Sequence, residues 1–191
     1  MTSTTKRNII LAVVGLTTLT TTLMFSNLFG GQTSQKLYDE GVKLYQSGNA
    51  EKAVTKLSEA IKKETDKSNK DKKFLSNLHT MRGEVYLSVN VAILSQSDFA
   101  YALQYNPDNE SALNDLGIWY SIKHFSTPDY KKSFAYFDKA LTIKPNRKDI
   151  QLNKACVKIQ SGDKTGCDDL RRLDNEGYPD AKIALQRFCT N

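Results

Sequence analysis

The sequence predicts an all-α solenoid: antiparallel helix pairs stacked side by side, with three recognisable repeats, a degenerate fourth and a C-terminal capping helix. Two observations carry this expectation. Apolar residues recur three and four positions apart along the chain from residue 34 onward, which is helical spacing. A weak self-similarity with a period near 34 residues runs through the same region, and a repeat of that length signals stacked small units rather than one closed globule.

Each unit justifies itself in order. The first carries Leu37-x3-Gly41-x2-Leu44, then Ala53-x3-Leu57-x2-Ala60. The second carries Gly83-x2-Tyr86, then Phe99-x2-Ala102-x4-Pro107. The third carries Leu113-x3-Gly117-x2-Tyr120, then Phe137-x2-Ala140-x4-Pro145. Between the halves of unit one, Gln46-Ser47-Gly48-Asn49 has the composition that ends one helix and caps the next. Small residues such as Gly41, Ala53 and Ala60 mark where two helices approach closely. Leu57, Phe99 and Phe137 are expected to fill the space between neighbouring units. An ordinary bundle with incidental glycines is the alternative. It is disfavoured because a glycine inside a helix costs about 1 kcal/mol and needs a packing reason.

These residues resemble the tetratricopeptide repeat family over about residues 34–160. That family runs bulky, small, aromatic in the first helix, then Ala, Phe, Ala in the second, then Pro. The expected repeats are about 34–67, 76–109, 110–147 and 148–176. Unit two departs from the pattern at Ser95, where a small Ala is usual. Unit one has Thr65 in place of the closing proline. Unit three carries about four extra residues around His124-Phe125-Ser126-Thr127-Pro128, which should lengthen its turn and put Pro128 in the first turn of the second helix. In Asn106-Pro107-Asp108-Asn109 and Lys144-Pro145-Asn146-Arg147, Pro stops one helix and Asn or Asp caps the next.

After Pro145 the unit is degenerate. Ile150, Leu152, Ala155, Cys156 and Ile159 form a first helix, Ser161-Gly162-Asp163 a turn, and Cys167, Leu170 and Leu173 begin a second. Glu176-Gly177-Tyr178-Pro179 then leads into a capping helix over 179–189. Lys182, Gln186 and Arg187 lie on its outer side and shield the end of the stack. Gly166-Cys167-Asp168-Asp169 and Arg187-Phe188-Cys189 resemble the closing segment of bacterial tetratricopeptide proteins, especially those of the Bacteroidetes.

The front of the chain differs. Residues 8–35 carry no charged side chain, and residues 9–29 are long enough to cross a bilayer as a helix. Lys6 and Arg7 precede this segment, so the positive-inside rule puts residues 1–8 in the cytoplasm and the repeats on the exported side. Thr17, Thr18, Thr20, Thr21 and Thr22 dilute the segment, so a cleaved signal peptide, giving a secreted or periplasmic protein, is the alternative to a signal anchor. The absence of cysteine there excludes a lipoprotein anchor. Residues 30–33 are a linker, and 34–191 form the repeat domain.

The net charge is +6, falling to +4 without Lys6 and Arg7, and charges of both signs are interspersed. No basic stripe with stacking aromatics is present, so nucleic acid is not an expected partner. The lysine-rich run from Lys62 to Lys73 reads as a solvated connection between units one and two. A contact with an anionic membrane surface is the sharper alternative for it.

Three cysteines lie in the last 36 residues without a CxxC pair, and His79 and His124 are far upstream, so no metal or other cofactor is expected. One reading makes all three buried thiols that act as small hydrophobes. Position about the turns allows either Cys167–Cys189 or Cys156–Cys167 as a disulfide. The family resemblance favours Cys167 with Cys189, leaving Cys156 reduced.

No phosphate loop, H-E-x-x-H or Gly-x-Ser-x-Gly occurs, so no catalytic residues are expected. By repeat register the concave face is lined by Tyr38, Val42 and Tyr45, with Gln35 beside them. Asn77, Thr80, Glu84 and Leu87 follow, then Ser111, Asn114, Ile118 and Ser121. Such a surface holds a peptide by contact area and main-chain hydrogen bonds. The Lys and Asn of the chaperone-binding clamp known in the resembled family are replaced by Tyr38 and Val42, which disfavours that ligand. The sequence therefore reads as a non-catalytic, membrane-tethered scaffold for a protein or peptide partner. A structural subunit of a membrane complex, or an N-anchored receptor facing the cytosol, are the alternatives.

Overall fold

The computed structural model describes residues 32–123 and 127–189. The 9–29 segment and most of the unit-three insertion lie outside these residues. Among the described residues no helix is long and apolar enough to cross a membrane.

Nine helices are described: α1 (Ser34–Gln46), α2 (Ala50–Thr65), α3 (Lys72–Ser88), α4 (Ala92–Tyr105), α5 (Glu110–Ser121), α6 (Tyr130–Ile143), α7 (Lys148–Gln160), α8 (Thr165–Asn175) and α9 (Pro179–Phe188). They pair as α1·α2, α3·α4, α5·α6 and α7·α8, and α9 closes on α8 and α7. The second unit starts at Lys72, four residues earlier than the repeat period suggested, because Asp71 caps α3 through the Phe74 amide. The first helices of successive units touch one another, α1 to α3, α3 to α5 and α5 to α7. The second helices α2, α4, α6 and α8 make no such mutual contacts among the described residues. The first helices therefore form the tighter inner layer and the second helices the splayed outer one.

The glycine register explains the pairing. A Cβ on Gly41 would stand 2.8 Å from Leu57 Cγ, and one on Gly83 would stand 2.6 Å from the Phe99 ring. Gly117 has the same relation to Phe137 at 2.7 Å. Leu57, Phe99 and Phe137 are fully buried. They fill the space over the glycine of their own unit, rather than only between units as the sequence suggested. The rings sit where a side chain is missing, which lets each pair close.

The turns repeat one device. Gly48, at φ 82°, donates to Tyr45 O while Asn49 donates to Leu44 O, a Schellman ending. Asn90, at φ 60°, takes the same place in unit two, with Val91 bonded to Tyr86 O. Asn109 caps α5, accepting from the amides of Ser111 and Ala112 at 3.1 Å. Two expected caps differ. Pro128 lies before the cap of α6, because Asp129 accepts from the Lys132 amide and takes that role. Arg147, not Asn146, stands at the N-cap of α7, and no side chain caps that helix.

Candidate functional site

The candidate site is the inner face formed by α1, α3, α5 and α7. Several predicted groove residues belong partly to the core. Tyr38 sets its ring edge-on to Phe74 at 5.7 Å, and Tyr45 packs on the same first-unit core. Val42 is half-buried beside them. Thr80 is buried, and its hydroxyl donates to Ser76 O at 2.9 Å and accepts from Asn109 Nδ2 at 3.1 Å. It is not free to meet a ligand, which corrects its placement as a groove contact. The same Asn109 amide donates to Ser76 Oγ at 2.8 Å, stitching unit two to unit three.

Asn77 is exposed and Ser111 half-buried. Gln35, Phe74 and Asn77 border a hollow of about 380 Å³ near the start of the face. Ile118, Ser121, Asn153, Cys156 and Val157 line a larger pocket of about 530 Å³ towards its other end. On the helices between these hollows, Glu84 is half-buried and Asn114 buried. Asn114 accepts from Asn153 Nδ2 at 3.0 Å and donates to Asp115 Oδ1 at 3.1 Å. Asp115 was not singled out by the repeat register, yet its carboxyl and that of Glu84 influence each other's ionisation.

The electrostatics follow from burial. Desolvation pushes the Glu84 carboxyl up to about 7, partly offset by its hydrogen bond with Asp115. Burial, then the charge of Glu84, raises Asp115 well above the usual carboxylate range. Burial, then Glu84, also raises the Tyr38 phenol. Asn114 and Asp115 are thus hydrogen-bonded on unit three, and the charge of Glu84 on unit two acts on both Asp115 and the Tyr38 phenol of unit one.

Two further networks escaped the sequence reading. Glu64, 2% exposed, accepts from Ser34 Oγ at 2.5 Å, Lys67 Nζ at 2.5 Å and the Asp71 amide at 3.0 Å. It anchors the connection from unit one to unit two, while the rest of the run from Asp66 to Lys73 is exposed. Asp98 is held by Arg82 through two bonds of 2.8 and 2.7 Å and by His79 Nδ1 at 2.8 Å. Burial opposes ionisation of Asp98, but the bonds from Arg82 and His79 outweigh it and hold the carboxyl below its ordinary range. A signal existed: Asp98 is the only charged residue of α4.

At the C-terminal end Cys167 and Cys189 form a disulfide with a Cα–Cα distance of 5.9 Å, and Cys156 is a free thiol raised chiefly by burial. Lys182, Gln186 and Arg187 are exposed on α9. Among the described residues no cluster of three or more His, Cys, Asp or Glu is placed to hold a metal ion.

No family model matches the chain. A curated protein of Pyropia yezoensis described as "Uncharacterized protein ycf37" is 32% identical over 81 residues, 42% of this chain and 43% of that protein. The chain thus spans less than half the length of the curated relative it matches. TTC0263, a thermophilic TPR protein of Thermus thermophilus, superposes with a TM-score of 0.64 at 16% identity, covering 82% of this chain and 81% of that one. MamA superposes with a TM-score of 0.58 at 14% identity, covering 78% and 81%. The chain is an all-α protein whose nine described helices pack in pairs as in tetratricopeptide-repeat solenoids.

Proposed function

We propose that the chain is a non-catalytic scaffold that holds a segment of a partner protein along its inner face, tethered to a membrane through residues 9–29. The observation that carries the reading is the continuous inner layer of α1, α3, α5 and α7, with hollows of about 380 and 530 Å³ at its two ends. Stacked repeats present such a face as an extended recognition surface. The uncharged segment 8–35 behind Lys6 and Arg7 supports the tether. The Cys167–Cys189 bond supports the exported side, since disulfides persist in oxidising compartments.

The test is partner retention in substituted full-length chains. Asn77→Arg and Ile118→Arg change the inner face at positions away from Glu84 and Asp115. Ile93→Arg and Tyr101→Arg change the outer face. Loss of the co-purified partner with the first pair alone supports the reading. Loss with the second pair alone contradicts it. Removing residues 9–29 tests the tether: the repeats should leave the membrane fraction, and continued membrane association would sink that part.

One observation favours a second reading, a structural subunit of a membrane-associated complex. The outward side of α4 carries no charge, with Ile93 78%, Tyr101 50% and Leu94 46% exposed. The other outer helices α2 and α6 carry several exposed charges each. An uncharged helix side of this kind suits a protein contact.

A further inference from the structure

The run from Lys62 to Lys73, which links α2 to α3, carries six lysines against three acids. Two of the acids are already engaged. Glu64 is buried against Ser34 and Lys67, and Asp71 accepts the Phe74 amide as the cap of α3. Lys62, Lys63, Lys70, Lys72 and Lys73 are all exposed. Of the six lysines, only Lys67 makes an ion pair among the described residues. The connection between units three and four is built differently: Lys144 pairs with Glu110, Arg147 with Asp149 and Lys148 with Glu176. Lys72 and Lys73 also stand against the local preference. They open α3, whose first turn holds no acid, and the positive end of a helix dipole disfavours cations there. A charge that costs the fold and is not neutralised within it points to a function outside it.

The patch lies where the chain comes in from its uncharged segment. Ser34 opens α1, and its hydroxyl donates to Glu64 at 2.5 Å and accepts from Lys67 Nζ at 3.1 Å. Lys36, exposed at the start of α1, adds a further cation beside the run. Residue 29 stands five positions before Ser34, a reach of about 17 Å at full extension. The opposite turn, at Gly48, lies one helix length further off, about 20 Å.

We propose that the connection from α2 to α3 rests on anionic lipid headgroups of the membrane that residues 9–29 cross. This rests on the tether reading above. Lysine ammonium groups of the run donate to headgroup phosphate oxygens, and each lysine near such a surface contributes about a fivefold gain in residence. The attraction falls off within a Debye length, about 8 Å at physiological salt, so only an end held close by the chain can use it. The short reach from residue 29 brings the lysine-rich end to the surface, and the Gly48 turn points away from it. The contact fixes one end of the first two units against the bilayer.

The test reconstitutes the full chain in vesicles of phosphatidylcholine alone and of equal parts phosphatidylcholine and phosphatidylglycerol, in low and in high salt. A pulse of an amine-acetylating reagent, read by peptide mass, gives the reactivity of each lysine. Lys62, Lys63, Lys70, Lys72 and Lys73 should react about tenfold more slowly on the anionic vesicles in low salt and recover in high salt. Lys131 and Lys139, exposed on α6, should not change. Equal reactivity of the run on both vesicle types overturns the proposal. A Lys70→Gln, Lys72→Gln, Lys73→Gln variant removes exposed charge without touching the core, and should lose most of the protection of Lys62 and Lys63. Undiminished protection there also overturns it. Protection by polyglutamate added to the neutral vesicles, with none from phosphatidylglycerol, refutes the lipid contact in favour of an acidic polypeptide. Flotation in high salt reads the tether separately. A chain that floats with both vesicle types while the run stays reactive keeps the tether and refutes this inference. A chain that floats only with the anionic vesicles and only in low salt, with the run protected, refutes the tether and supports the headgroup contact.

Discussion

Replacing Glu84 by Gln should stabilise the protein at alkaline pH and leave it unchanged in acid. In the unfolded chain a glutamate titrates near 4.5, whereas burial raises Glu84 to about 7 in the fold. Below the lower value both states hold the proton, and Glu84 contributes no penalty. Between the two values the unfolded chain releases a proton that the folded one retains, so stability falls as pH rises through this window. Above the folded value the whole penalty stands. At about 1.4 kcal/mol per pKa unit, that shift corresponds to about 3 kcal/mol. Gln carries no such charge, and its amide can donate to Asp115. Tyr38, Arg147 and Asp149 interact with these two carboxyls through charge but keep their own charge states across this window. The acids held low by partners, such as Asp98 and Glu64, lose their contribution only in stronger acid, so they do not overlap it. Urea unfolding of parent and variant at about pH 5 and about pH 8.5 reads the difference from the midpoints. The gap should open at the higher pH, by up to about 3 kcal/mol. A gap of equal size at both pH values would refute the argument that a strained carboxyl pair lies on the inner face.

Other consequences concern the frame that carries this face. Gly83→Ala drives a Cβ into the buried Phe99 ring, and overpacking of this kind costs about 1–3 kcal/mol against a helix-propensity gain of about 1. A raised thermal midpoint would contradict the register. Asn109→Ala removes a cap and the amide that serves Ser76 and Thr80, for a loss of about 2 kcal/mol in denaturant unfolding. Asn77→Ala, beside it but exposed, should change stability by less than about 0.5 kcal/mol. Reducing Cys167–Cys189 opens a loop with a sequence separation of 22 and should cost about 3 kcal/mol, with amide exchange rising first in α9. Exchange in α9 that is indifferent to reductant would show that packing alone holds this end.

The sequence revealed the fold wherever a residue had one physical role. Gly41, Gly83 and Gly117 each needed a bulky partner, and Leu57, Phe99 and Phe137 stood at the matching distance in the repeat. Turns with glycine were equally legible. Asn90 was not, because a left-handed Asn between two valines carries little composition signal. Capping by Asp129 rather than Pro128 depended on one side-chain bond that spacing does not determine.

The site was less legible because register shows which face a residue occupies, not what it meets across a helix boundary. Register put Glu84 on the inner face. Its partner Asp115 lies one position beyond Asn114 and reads by register as packing. Glu64 was hidden in a run of exposed lysines, and only the tertiary approach of Ser34 distinguishes it. Thr80 had the register of a groove residue, but its hydroxyl is consumed by Asn109 from the next unit.

Site-specific photo-crosslinking in the source cells tests the central claim most directly. A crosslinking residue is placed in the full chain at Asn77 or Ile118 on the inner face, and at Ile93 or Tyr101 on the outer one. The account predicts a discrete partner adduct from the two inner positions. Adducts from Ile93 and Tyr101, with the inner positions silent, would contradict it and make the uncharged side of α4 the working surface.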